Sequence, residues 1–302
     1  MHIEPFGVEM WMNAWETKCT YNLAETCVHS LTIAELLDLT GASDTALQDI
    51  LSMKMTYGDI EGSPRLRAAI AALYQTRSAD DVMVTHGTIG ANMLAFKALV
   101  SAGDHVVSIL PTYQQHYSIP ESIGATVSRL YLRPEDNWLP DLDALAAHVT
   151  PDTRLIALTN PNNPTGALID AAMLQDIVAL ARANDAWVLV DEVYRGTEEG
   201  DQAPSIADIY EKGISTCGMS KAFSLAGLRL GWIAAPTEVL EKVSHHRDYD
   251  TISVGMIDDH FATLALEHAD KVRARSQKIT AGNREIVDAW IAQHPKLDWI
   301  RP

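Results

Sequence analysis

An α/β fold is what this sequence of 302 residues predicts: a mostly parallel sheet sandwiched by helices, with a smaller second domain. Two observations carry the expectation. From Tyr57 to Pro236, short apolar runs alternate with helical patterns, the signature of strands joined by crossover helices. The apolar runs are also nearly continuous, as in strands covered on both faces.

The elements follow in order. Residues 1–40 are mixed: aromatic and acidic at first, then NLAETC, then an apolar stretch from Leu31 to Leu39. Ser63-Pro64 starts a helix, with Ser as cap and Pro in the first turn. Leu66, Ala69, Ile70 and Leu73 then share one helical face. VMV (82–84) reads as a strand, THGTIG as its turn, and residues 91–100 as a helix stopped by Ala102-Gly103-Asp104. HVVSIL (105–110), TVSRLYL (126–132) and RLIALT (154–159) read as strands, with a helix LDALAAHV (142–149) between the last two. Helix 170–183 leads into the strand AWVLVDE (186–192). IADIYEKG (206–213) reads as a helix, and ISTCGMS (214–220) and RLGWIAAP (229–236) as strands. Beyond Pro236 the pattern is helical to about Ile291, and Leu297–Pro302 resembles the start of another strand. The expected division is an N-terminal arm with part of a small domain (1–45), a large sheet domain (46–270), and the start of a C-terminal small domain (271–302).

Composition narrows the function. Forty acidic residues against 23 basic give a net charge of −17. Such a chain repels a phosphate backbone and an anionic membrane surface, so nucleic acid and membrane are not expected partners. Cys19, Cys27 and Cys217 form neither a disulfide framework nor a zinc motif, and they suit a reducing cytoplasm. The N-terminus lacks the basic-then-apolar pattern of a secretory signal, and no apolar run is long enough to cross a membrane. His245, His246 and His260 with Asp258 and Asp259 match no metal spacing, so they read as a surface helix and no metal is expected.

In sheets of this kind, ligands bind at the carboxyl ends of the strands. Four unusual groups sit there. His86-Gly87-Thr88-Ile89-Gly90 links a strand to a helix whose free N–H groups suit an anion, although any such turn can carry glycine. Asn160–Gly166, NPNNPTG, reads as a stiff loop holding amide side chains, or as a plain turn. Asp191 ends an apolar strand just before Tyr194, where a charge needs a partner or caps a helix. In GMSKAFSLAGLRLGW (218–232), Ser220, Lys221 and Arg229 follow a strand, and Lys221 lies among apolar residues. That lysine either snorkels from a loop or serves as a nucleophilic amine. One ligand satisfies all four groups: it has a phosphate, a protonatable ring nitrogen, a phenolic oxygen and a carbonyl. Pyridoxal 5′-phosphate has them all.

Six motifs in this order, YGDIEGSPRLRAAIA, VTHGTIGAN, PTYQQHY, TNPNNPTG, VDEVYRG and SKAFSLAGLRLGW, make the chain resemble the class I/II, fold-type I pyridoxal-phosphate aminotransferases from about Asn22 onward. The resemblance implies a role for each matching residue. Lys221 is the Schiff-base lysine and proton shuttle. Asp191 holds the ring nitrogen protonated, and Asn163 and Tyr194 contact the ring oxygen. Tyr113 stacks on the ring. Thr88 and Ile89 offer backbone N–H groups to the phosphate beside Ser220 and Arg229. Tyr57 matches the tyrosine that reaches the neighbouring subunit's phosphate, which implies a homodimer with shared sites, and Thr251 and Ser253 fall where the family often touches that partner site. Glu25 and Thr26 fall where the family lines its substrate pocket; His29 nearby is a substrate contact or a packed surface histidine. Trp11 and Trp15 are expected to pack the arm onto a neighbour. Arg229 and the apolar surroundings are expected to keep the Lys221 amine neutral.

The match departs in two places. Many family members carry a hydroxyl residue three positions before the lysine, where this chain has Gly218. The family also continues into a small domain whose arginine grips the substrate α-carboxylate. Nothing after Trp299 matches it and Arg301 lies too early, so truncation is the expectation. The implied reaction is amino transfer between an L-amino acid and a 2-oxo acid. Alternatives on the same scaffold are a C–S β-lyase, a cyclase, a racemase or a decarboxylase. A non-catalytic cofactor-binding regulator is a further alternative, but it would call for a basic DNA-binding segment that the short acidic residues 1–40 do not supply.

Overall fold

The computed structural model describes residues 2–42, 45–200 and 202–302. Helix α1 (Gly7–Trp15) opens the chain without burying a residue, and α2 (Ile33–Thr40) follows. Thr32 and Glu35 form a capping box at the start of α2, and Gly41 ends it at φ 71°. Next come α3 (Ala46–Ser52) and α4 (Pro64–Ala71). Ser63 caps α4 as expected, its Oγ accepting from the Leu66 N–H at 3.1 Å. Leu66 and Ile70 are then fully buried.

The alternating part runs β1 (Val82–His86), α5 (Gly87–Leu99), β2 (His105–Leu110), α6 (Gln115–Ile123), β3 (Thr126–Tyr131), α7 (Leu142–His148), β4 (Thr153–Thr159), α8 (Ala171–Ala183), β5 (Trp187–Asp191), α9 (Ile206–Ile209), β6 (Gly213–Gly218) and β7 (Leu230–Ala234). These strands form one sheet in the order β1-β7-β6-β5-β4-β2-β3. β7 is antiparallel to both its neighbours, and the other pairs are parallel.

The continuous apolar runs have the expected cause. Val106, Leu155 and Leu189 pack on one side with Leu94 and Phe96 of α5, while Val107, Ile156, Val188 and Val190 pack on the other with Leu174 and Ile177 of α8. Successive strand residues point to opposite faces, so a sheet covered on both sides needs apolar residues at every position. Burying each such side chain contributes about 1.5–3 kcal/mol.

After the sheet come α10 (Thr237–Arg247), α11 (Met256–Glu267) and α12 (Ala269–Ala292). Four details differ from the sequence expectation. α5 starts at Gly87, not near Ala91, because it follows β1 without a loop. The helix expected over 206–213 stops at Ile209, because Gly213 already opens β6, where an added Cβ would meet the Ile206 carbonyl. The helical region after Pro236 breaks over 248–255, where Ile252 has φ 58°. Finally, 297–302 forms no strand. Its groups meet α12 instead: Arg301 Nε lies 2.7 Å from Asp288 Oδ2, and Arg284 Nη1 donates to the Pro302 carbonyl at 3.1 Å.

Candidate active site

The parallel strands β1, β4, β5 and β6 end on one edge of the sheet, and the four predicted groups meet there. At one side lies an anion cradle. Gly87 turns out of β1 at φ 65° and begins α5. No side chain caps α5 and no acidic residue lies in its first turn, so its leading N–H groups, including those of Thr88 and Ile89, present a positive end. β7 packs tightly behind them. A Cβ on Gly231 would lie 2.5 Å from Thr88 N, so only glycine allows this approach. Arg229 sits in the left-handed region at φ 47°. Its Nη1 donates to the Ala226 carbonyl at 2.9 Å and reaches Ser220 Oγ at 3.4 Å, and its Nη2 would lie 3.0 Å from a Cβ on Gly87. The structure thus brings the first turn of α5, Ser220 and Arg229 to one place at the strand ends.

At the other side Asp191 ends β5, only 5% exposed. Asn92 Nδ2 donates to its Oδ2 at 2.9 Å, and the Val193 N–H donates to its Oδ1 at 3.1 Å. Thr216 in turn donates to Asn92 Oδ1 at 2.6 Å. Burial pushes the Asp191 carboxyl up to about 6. A buried acid held this way is suited to a cationic partner such as a protonated ring nitrogen.

Lys221 and Tyr194 converge at the same strand ends. Both donate to Thr26 Oγ1, Lys221 Nζ from 2.9 Å and the Tyr194 hydroxyl from 3.0 Å. Lys221 Nζ also lies 3.1 Å from Cys27 Sγ and 3.9 Å from Glu25 Oε1. The expected neutral amine does not hold in this arrangement. Burial lowers the Lys221 pKa, but Tyr194, Cys27 and Glu25 outweigh it and the net direction is upward. Arg229 meanwhile turns its guanidinium toward Ser220 and Ala226.

The NPNNPTG loop divides its amides by task. Asn160 pairs with both the N–H and the carbonyl of Ile169, and Asn162 Nδ2 donates to the Pro111 carbonyl at 3.1 Å. Asn163 lines a cavity of about 440 Å³ together with Thr26, Tyr194, Glu198 and Arg284.

Tyr113 stands before α6 and is covered by the N-terminal arm. Its ring lies 4.7 Å from that of Phe6, and its hydroxyl donates to Glu9 Oε1 at 2.5 Å. Burial and the Glu9 carboxylate push the phenol well up. Tyr57 is not brought into the group: it is 77% exposed on the single chain. His29 is exposed, and its carbonyl accepts from Arg275 Nη1 at 2.9 Å. Trp11 and Trp15 are half exposed.

Several residues of the site were not singled out from sequence. Asn92 and Thr216 had one signal, polar side chains inside buried apolar runs. Cys27 and Glu9 had none, because only the tertiary fold brings residues 1–27 over Lys221 and Tyr113. Among the described residues no set of three His, Cys, Asp or Glu is placed to hold a metal, and no helix is long and apolar enough to cross a membrane.

The profile described as "Aminotransferase class I and II" matches residues 39–288. This chain belongs to that family. A capreomycidine synthase of Streptomyces vinaceus is 32% identical, over 94% of this chain and 73% of the relative. A pyridoxal-phosphate-dependent aminotransferase of Streptococcus suis superposes with a TM-score of 0.97 at 40% identity, covering 100% of this chain and 81% of that one. A pyridoxal-phosphate-dependent cyclase, OrfR, superposes with a TM-score of 0.91 at 27% identity, covering 100% of this chain and 79% of that one. Other curated relatives are matched over 50% and 62% of their length.

The cofactor of this class I and II family member is pyridoxal 5′-phosphate. The residues present fit it. The cradle of Gly87, Gly231 and Arg229 is shaped for close approach of an anion, and the buried Thr88 hydroxyl has no protein partner. Asp191 offers a buried acid for the ring, and Lys221 directly follows Ser220 of the cradle while its charge acts on Asp191.

Proposed function

We propose that this protein is an aminotransferase that moves an amino group from an L-amino acid to a 2-oxo acid, working as a homodimer with shared sites. The observation that carries the reading is the convergence of Lys221 and Tyr194 on Thr26, at the strand ends that also carry Asp191 and the Arg229 cradle. When bound, pyridoxal 5′-phosphate supplies an electron sink for negative charge at the substrate α-carbon. The chain's own groups do the rest. Thr88, Ile89, Ser220 and Arg229 hold the phosphate. Asp191, positioned by Asn92, keeps the ring nitrogen protonated. Asn163 and Tyr194 hold the ring oxygen, and Tyr113 orients the ring. The Lys221 pKa is raised in the cofactor-free chain, so the side chain must first lose its own proton; as the free amine it takes the proton from the substrate α-carbon as a general base, and once protonated it returns it as a general acid. Tyr57 serves the partner's site. Residues 1–45, 46–270 and 271–302 serve as arm, cofactor domain and small-domain segment.

A second reading has specific support. Capreomycidine synthase and the pyridoxal-phosphate-dependent cyclase OrfR are among the similar proteins, and one fold can host more than one reaction. One assay separates the two. The protein is given an amino acid panel with and without pyruvate or 2-oxoglutarate. A new amino acid formed only when the 2-oxo acid is present supports transamination. A cyclised or eliminated product formed without it overturns transamination.

A further inference from the structure

We propose that the Thr88 hydroxyl is itself a ligand of the cofactor's phosphate, filling the place that Gly218 leaves open. Thr88 is 8% exposed, and its Oγ1 is buried with no hydrogen-bond partner. A buried hydroxyl left unpaired is costly, so such a group points to an acceptor that arrives from outside the chain. Its neighbours say what that acceptor is. Thr88 lies in the first turn of α5, a 13-residue helix with an uncapped N-terminus. Ser220 and Arg229 close the same cradle. An anion is the acceptor that satisfies the helix end, the guanidinium and both hydroxyls together.

The second observation is steric. Gly218 ends β6, three residues before Lys221. A Cβ built on Gly218 would lie 2.5 Å from Thr88 Oγ1, 3.0 Å from the Leu230 carbonyl oxygen and 3.1 Å from Gly231 Cα. A side chain at 218 and the hydroxyl of Thr88 therefore compete for one space. The chain fills that space from α5 instead of β6. The departure at position 218 is then an exchange of donor between two elements, and the phosphate keeps its hydroxyl contact.

Binding to the cofactor-free protein tests this without any turnover, so the result does not depend on whether the reaction is transamination. Pyridoxal 5′-phosphate and pyridoxal, which lacks the phosphate, are titrated while tryptophan fluorescence is followed. Thr88→Val keeps the shape and removes the hydroxyl. It should weaken pyridoxal 5′-phosphate by about tenfold or more, as expected for a hydrogen bond to a charged group, and leave pyridoxal unchanged. Thr88→Ser should bind like the wild type. Gly218→Ser alone should bind poorly, and the exchange Thr88→Gly with Gly218→Ser should recover most of the affinity. Equal binding of pyridoxal 5′-phosphate by wild type and Thr88→Val overturns the proposal. So does an equal loss for both ligands, which would mark a packing role. Circular dichroism of each variant excludes unfolding as the cause.

Discussion

Asn92 Nδ2 donates to Asp191 Oδ2 at 2.9 Å, tying the first turns of α5 to the carboxyl end of β5. The amide is committed at both ends, because its Oδ1 accepts from Thr216 on β6 at 2.6 Å. One side chain thus fixes the rotamer of the acid and the spacing of three elements. Asn92→Leu should remove both bonds and leave Asp191 buried with only the Val193 N–H. The expected result is a loss of roughly tenfold in affinity for pyridoxal 5′-phosphate, with lower thermal stability. Equilibrium titration of the cofactor-free variant measures the first, and a thermal melt the second.

The raised pKa of Asp191 gives a pH dependence of definite sign. The folded, cofactor-free protein binds this proton up to about pH 6, while an unfolded Asp releases it near 3.8. The proton-linked stability is therefore present in full below the unfolded value and is lost as pH rises through 6. Between pH 5 and 7.5 the loss should be about 1 kcal/mol. Asp191→Asn should abolish that part of the slope, which urea denaturation at the two pH values would detect. Cofactor binding should run the other way and strengthen as pH rises through 6, because only the ionised acid pairs with a protonated ring. A wild-type slope matching that of Asp191→Asn would sink the assignment.

A second buried chain lies beside the site. Trp232 Nε1 donates to the Tyr74 hydroxyl at 2.9 Å, Tyr74 lies 3.0 Å from Ser215 Oγ, and Ser215 donates to Glu192 Oε2 at 2.8 Å. Each hydroxyl gives one bond and receives one. Glu192 also accepts from Ser205 Oγ at 2.9 Å and from the Ile206 N–H at 2.8 Å, so it anchors α9 to the sheet. Tyr74→Phe would leave the Trp232 donor unpaired inside the core. The expected cost is about 1–3 kcal/mol of stability in chemical denaturation, with cofactor affinity nearly unchanged.

The sheet was legible because burial on both faces writes itself into consecutive residues. Val188-Leu189-Val190 can be nothing but a covered strand once Asp191 and the following turn are seen. The cradle was legible for a related reason: Gly87, Ser220 and Arg229 sit at strand ends, where the chain must turn. Glu25 and Thr26 were placed near the pocket by the family resemblance alone, and the particular contacts of residues 1–27 were not legible in any local pattern. Glu9, Thr26 and Cys27 reach Tyr113 and Lys221 across more than 100 positions of sequence, and no periodicity encodes such a pairing. The upward direction of the Lys221 pKa was not legible either, because Tyr194, and then Cys27 and Glu25, meet its amine only in the folded chain. The end of the helix at Ile209 was hidden because Tyr210 and Lys212 fit a helical pattern, while the stop is imposed by Gly213 packing on the Ile206 carbonyl.

That arm also brings carboxylates against the site. Glu9 holds the Tyr113 hydroxyl, and Glu25 lies 3.9 Å from Lys221 Nζ. Burial acts to raise the Glu25 carboxyl, but its bonds from Cys27 and the Lys221 charge outweigh this and lower it, so it stays ionised. Glu16 beside it is pushed the other way, first by its hydrogen bond with Glu25, as expected of two carboxylates sharing one space. A donor amino acid with an acidic side chain would approach this negative charge, and one with a basic side chain would be drawn to it. Each unit charge about 4 Å away in water is worth about 1 kcal/mol, or roughly fivefold. The wild type should therefore favour lysine-like or arginine-like donors over aspartate and glutamate in kcat/KM. Glu25→Gln should narrow that preference by about fivefold, and Glu9→Gln with Glu25→Gln by more. The ratio of kcat/KM for arginine to that for glutamate, measured for all three proteins at low and high salt, checks the idea. A ratio that neither the substitutions nor salt can move would show that side-chain selection comes from elsewhere in the pocket.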